Sequence, residues 1–109
     1  MVTQEQIKEL RDRISTLERC MHIASRREEI AEKEAESRKD GFWDDPKAAE
    51  QFLKGLSSVK SVVSAFDAAV SSADDIDVLA ELDPEGEDID AAFAQTSSMV
   101  DDLELKNML

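Results

Sequence analysis

The side chains that carry most protein chemistry are scarce in this chain, and their spacing works against them. Cys20 and His22 are the only cysteine and the only histidine, so a zinc site built from several Cys and His ligands is excluded. Two positions apart on a helix, a thiol and an imidazole do not face each other, which argues against a Cys–His catalytic pair. His22 reads as a solvent-facing or helix-end residue. Cys20, beside Met21, reads as a small, partly buried apolar side chain. The acidic run Asp83-Pro84-Glu85-Gly86-Glu87 invites a calcium site. Counted as an EF-hand loop from Asp83, however, it puts glycine at the fourth position instead of the sixth, and Ala94 where the closing glutamate belongs. Gly41, Gly55 and Gly86 are isolated, so no glycine-rich loop cradles a phosphate. The pairs Arg26-Arg27 and Arg38-Lys39 are interleaved with glutamates and read as solvated helix faces rather than a polynucleotide groove. No catalytic, cofactor-binding or metal-ligating residue is expected, and no cofactor.

Composition narrows the class further. The chain has 109 residues, of which 41% are hydrophobic and 36% charged, a charge content that suits long helices with wide solvated faces. Three glycines, two prolines and no tyrosine argue against a turn-rich sheet fold. No apolar run approaches the roughly 18 residues of a membrane span, and Met1-Val-Thr-Gln-Glu5 lacks the order of a signal peptide. A lone cysteine fits a reducing, cytoplasmic setting. Residues 1–60 carry 12 basic and 13 acidic side chains, whereas residues 61–109 carry 1 and 13. The second stretch therefore repels phosphate backbones, so direct nucleic-acid binding through it is not expected. A basic protein surface is its better electrostatic partner. The plainer alternative is that the acid keeps the domain soluble.

The elements that would position any function are helices. Thr3 and Gln6 form a capping-box pattern, with Val2 and Ile7 as a staple. Ile7, Leu10, Ile14, Leu17, Met21 and Ala24 then form one apolar seam. Ser25, with Glu28 three residues on, suggests a second cap after a break near His22–Ser25. Ala49, Phe52, Leu56, Val59, Val63, Phe66, Val70 and Ala73 form the longest seam, on a helix of roughly 40 Å. Gly55 inside it marks either close approach by another helix or simple tolerance. Asp74-Asp75 suggest a cap for a short helix holding Ile76, Leu79 and Leu82, and Asp83–Gly86 reads as a turn. Ile89, Phe93, Thr96, Val100 and Leu103 give the last seam. The expected helices are 4–22, 26–38, 46–73, 75–82 and 88–106. Together they predict one all-α domain, an elongated antiparallel bundle of four to five helices with coiled-coil-like packing.

The most distinctive segment, Lys39–Pro46, lies between the second and third helices. Asp45 is placed to cap the third helix, and Pro46 to occupy its first position, where a missing N–H costs nothing. Phe42 and Trp43, the sole tryptophan, read as a buried aromatic plug clamping the two helices together. Phe42, Trp43, Asp45 and Pro46 are thus a structural signature with no chemical role.

From Ile23 to Phe66, and above all through Phe42-Trp43-Asp44-Asp45-Pro46-Lys47-Ala48-Ala49, the chain resembles the N-terminal domain of bacterial peptide chain release factor 2, a class I release factor. The basic pair Arg26-Arg27 and the segment Leu56-Ser57-Ser58-Val59-Lys60 fall in the same order as in that family, whereas the sister release factor 1 family has no such Phe-Trp pair. The last third matches only in helical and acidic character. The sequence departs from the family at Asp40, where a proline is common, and at His22 and Ala24, where acidic residues are frequent. The resemblance implies a segment of a translation termination factor that directs release at UAA and UGA codons. A Ser-Pro-Phe-type tripeptide reads the codon and a Gly-Gly-Gln motif promotes peptidyl-tRNA hydrolysis. Neither motif occurs here, so the chain reads as an N-terminal fragment that is not itself an enzyme. The implied partner is the ribosome, at a stalk-base protein near the GTPase-associated region, and the isolated domain is expected to be a monomer. The competing reading is a free-standing acidic coiled-coil adaptor or self-associating structural protein.

Overall fold

Thr3 opens the first helix with a complete capping box. Its hydroxyl accepts from the Gln6 amide at 3.1 Å, and the Gln6 side chain accepts from the Thr3 amide at 2.8 Å. In the computed structural model, which describes residues 1–108, this helix and three others make up an all-α fold without strands among the described residues. They are α1 (Gln4–Cys20), α2 (Ile23–Ser37), α3 (Pro46–Leu82) and α4 (Glu87–Met108).

Three boundaries differ from the sequence reading, each for a physical reason. The α1–α2 break falls at Met21-His22, and Ser25 lies inside α2 rather than capping it. His22 takes a left-handed conformation with φ 54° and stands at the helix start without a side-chain cap bond. That conformation costs a non-glycine residue about 1–2 kcal/mol. It reorients the chain so that Ile23 becomes buried and Ala24 exposed, ending the expected seam one residue early. Second, α3 does not stop at Ala73. Ala73 and Ile76 are both buried and extend its stripe, and the expected cap Asp74-Asp75 lies inside the helix, with Asp74 held, like Asp77, by Arg11. The expected third and fourth helices are therefore one, and the turn at Asp83–Gly86, closed by the Gly86 amide on the Asp83 carbonyl, leads into α4, the expected fifth. Third, the α3 stripe drifts around the helix. Ala69 is buried, whereas Phe52, Val59 and Val70 are only half-buried. A straight helix turns every 3.6 residues and cannot hold a strict heptad over this length.

Packing divides the chain, read from sequence as one domain, into two compact units: Met1–Met21 with Ala65–Leu109, and His22–Ser64. In the first, the second half of α3 and α4 form a hairpin around the Asp83–Gly86 turn. Thr96, fully buried, donates to the Ala92 carbonyl at 2.8 Å and so must accept from the Ser72 hydroxyl across the hairpin. Two arginines of α1 tie this hairpin down. Arg11 bonds Asp74 and Asp77 of α3; Arg13 bonds Asp101 and, with two nitrogens, Glu104 of α4. The hydrogen bond from Arg13 holds the Glu104 carboxyl below its usual range, against the opposing effect of burial. In the second unit, α2 buries only Ile23 and faces the first half of α3, which buries Ala49, Leu56 and Val63. Lys60 reaches Glu34 at 3.2 Å, and the Lys33 ammonium lies 5.9 Å from the Phe52 ring centre. Nothing lies within 4 Å of a side chain built at Gly55, so tolerance, not close helix approach, accounts for that glycine.

Candidate interaction surface

The α2–α3 junction is a short series of turns stitched by local bonds. The amides of Arg38, Lys39, Phe42 and Asp44 each bond a carbonyl three residues back. Gly41 has φ 83°, a left-handed conformation that glycine adopts freely. The Asp45 carboxylate then accepts from the Ala48 amide at 3.1 Å, capping α3, and Pro46 takes the first helical position. These bonds fix where the two aromatics project.

Phe42 packs edge-on against both Trp43 (centroids 5.5 Å apart) and Phe52 (5.4 Å). It is half-buried. Trp43 is not the buried clamp its size suggests: 59% of it is exposed. The physical reason is the thinness of this unit. α2 offers so few apolar side chains that Phe52 and Phe42 fill the available contact, and the indole is left on the outside.

The exposed indole walls a groove of about 420 Å³, completed by Pro46, Glu50, Leu53, Lys54 and Ser57. Sequence reasoning passed over the last four of these. The signal was present, since Pro46, Glu50, Leu53 and Ser57 repeat at spacings 4, 3 and 4, a second stripe beside the buried one. Only Pro46 and Leu53 make that stripe apolar, which is why it did not stand out.

The residues with conventional chemical potential are not gathered anywhere. Cys20 is exposed rather than partly buried, because α1 ends there and the seam turns inward at Met21. His22 is exposed at the start of α2. Among the described residues no cluster of His, Cys, Asp or Glu is disposed to hold a metal ion, and no helix is long and apolar enough to cross a membrane. What the surface offers is shape, an aromatic ring and charge.

No family model matches the chain, and no solved structure matches it significantly. Curated proteins do. The peptide chain release factor 2 of Arthrobacter sp. (strain FB24) is 32% identical over 110 residues, covering 95% of this chain and 30% of that protein. Those of Tolumonas auensis and Pseudoalteromonas translucida are each 31% identical, covering 92% and 88% of this chain and 27% and 26% of theirs. The chain thus spans less than a third of the length of the curated relatives it matches. By that match the chain belongs to the peptide chain release factor 2 family and corresponds, along about 90% of its length, to the N-terminal part of those proteins.

Proposed function

We propose that this chain is the ribosome-facing accessory segment of a release factor 2, acting in translation termination at UAA and UGA codons in the cytoplasm. The observation that carries the reading is the 32% identity running through 95% of the chain. In this reading the segment positions the factor and performs no chemistry. Codon reading and peptidyl-tRNA hydrolysis belong to downstream segments, which accounts for a match to under a third of each relative. The partner is a stalk-base protein near the GTPase-associated region. Support for a protein contact comes from charge: the stretch 61–109 has 1 basic and 13 acidic side chains, a field that attracts basic protein and repels RNA. The isolated segment is a monomer.

Two measurements test this. Read past Leu109, the source gene should encode a Ser-Pro-Phe-like tripeptide and a Gly-Gly-Gln motif; a stop codon directly after Leu109 defeats the segment reading. The chain should also sediment with bacterial ribosomes, and fail to do so with ribosomes stripped of the stalk-base protein. Equal sedimentation with both would remove that partner. Light scattering should show one chain per particle at every concentration, and a stable dimer would instead favour a self-associating adaptor.

A further inference from the structure

Val78 and Leu82 lie one turn apart on the side of α3 that turns away from its buried stripe, and they are 54% and 77% exposed. Leu82 reads from sequence as a companion of Ile76, which is almost wholly buried, yet it ends α3 in open water. Two open apolar side chains in register form a small contact surface, and what surrounds them decides what it fits. From Asp74 to Asp90 the chain has nine carboxylates and no lysine or arginine. Arg11 engages Asp74 and Asp77. The other seven are exposed, and among the described residues no lysine or arginine pairs with them. Spacings of three and four residues put Asp74, Asp75 and Glu81 directly beside Val78. The one cation of the stretch 61–109, Lys106, stands near the far end of α4, roughly 28 Å along the helix from Glu87.

That charge selects the occupant. A second copy of this chain brings the same net −13, and RNA brings phosphates, so both are repelled. A metal ion finds no cluster disposed to hold it among the described residues. A protein segment with lysines or arginines around an apolar side chain meets attraction at the rim and covers Val78 and Leu82 at the centre. We propose that this face of α3 docks a basic amphipathic segment of a partner protein, its apolar side chains on Val78 and Leu82 and its cations toward Asp75 and Glu81. The partner's being a ribosomal protein rests on the ribosome-facing reading; the chemistry recognised rests on the face alone.

A fluorescently labelled amphipathic peptide of leucine and lysine, titrated with the full chain at low salt, should gain anisotropy saturably. The same peptide with glutamate for lysine, the same peptide with serine for leucine, and single-stranded RNA should each bind about tenfold more weakly or not at all. Val78→Gln with Leu82→Gln should weaken the leucine–lysine peptide about tenfold, the loss of part of two apolar contacts. Asp75→Lys with Glu81→Lys should weaken it about five- to tenfold, an effect that fades by about 1 M salt. Glu28→Lys with Glu32→Lys, an equal change of net charge at exposed positions of α2, should weaken it less than about twofold. Circular dichroism of every variant should match the parent, since all the altered side chains are exposed. No saturable binding of the leucine–lysine peptide overturns the proposal. So does equal binding of the serine peptide, the mark of diffuse charge attraction, or an equal loss in the α2 variant, the mark of net charge alone. Equal binding of RNA overturns it in favour of a nucleic acid, and a parent dimer that the glutamine variant dissolves overturns it in favour of a second copy. Ribosome sedimentation that is intact in the parent and unchanged in the glutamine variant also overturns it, while leaving the ribosome reading in place. A peptide response that depends on both pairs of residues, without any ribosome binding, upholds the face and defeats the ribosome reading instead.

Discussion

The two units of this molecule divide labour between holding and displaying. The unit made of α1, the second half of α3 and α4 contains twelve of the sixteen buried apolar side chains, together with the buried Thr96. The unit made of α2, the junction and the first half of α3 contains four: Ile23, Ala49, Leu56 and Val63. Charge divides the same way. The first unit has 5 basic and 17 acidic side chains and the second 8 and 9, so nearly all of the net −13 sits on the better-packed unit. A rich core tolerates that self-repulsion, and Arg11 and Arg13 relieve it where four carboxylates face α1. The thin unit has no core to spare, and in it a large aromatic stays outside. Size alone does not bury a tryptophan; the partner helix must present enough apolar surface to cover it.

That difference is open to attack from the core outward. Phe66, at 2% exposure, fills the centre of the first unit, and Phe66→Ala should cost about 3–5 kcal/mol. Its melting temperature, followed by circular dichroism, should fall by well over ten degrees at roughly 4–8 °C per kcal/mol. Thr96→Val is the next largest. It removes the hydroxyl that accepts from Ser72 and leaves that half-buried oxygen without its partner, at about 1–2 kcal/mol. A melting point unchanged within a degree would show that Ser72 finds water instead.

The helices themselves were legible because their signals are local. The Thr3–Gln6 box, the Asp45-Pro46 start and the Asp83–Gly86 turn are short motifs whose geometry depends on neighbours in sequence. The seams were legible to within a residue or two. What the sequence hid were outcomes of competition over distance. Asp74-Asp75 look like a cap until Arg11, more than sixty residues earlier in the chain, takes Asp74 as its charge partner. Trp43 looks like core until the poverty of α2 is measured against it. The groove was hidden for the same reason, since it exists only because the indole is outside.

Trp43→Ala sharpens the contrast from the displaying side. Burial would make this substitution as costly as Phe66→Ala. With 59% of the side chain exposed, what remains to lose is chiefly the edge-on contact to Phe42, worth about 0.5–1.5 kcal/mol. The melting point should drop by only a few degrees, and a fall matching that of Phe66→Ala would restore the buried clamp. A small stability effect is the pattern that separates a displayed residue from a core one.

A smaller expected effect carries a pH signature confined to the better-packed unit. Arg13 grips Glu104 with two nitrogens and Asp101 with one, and its side chain is 33% exposed, so solvent screening limits the pairs to about 0.5–1 kcal/mol. Those hydrogen bonds hold the folded-state Glu104 carboxyl below its ordinary range. A depressed carboxyl stabilises the fold above its unfolded-state titration, and that contribution is lost as pH falls through the folded-state value. Arg13→Ala should therefore melt a few degrees below the parent at neutral pH, and the gap should close in acid once Glu104 takes up its proton. Lys60→Ala, which removes a single contact to Glu34 in the thin unit, should cost less at neutral pH, because one exposed ammonium contact lacks the fork geometry. If the two substitutions cost the same, the arginine clasps do not distinguish the units, and the buried side chains alone set them apart.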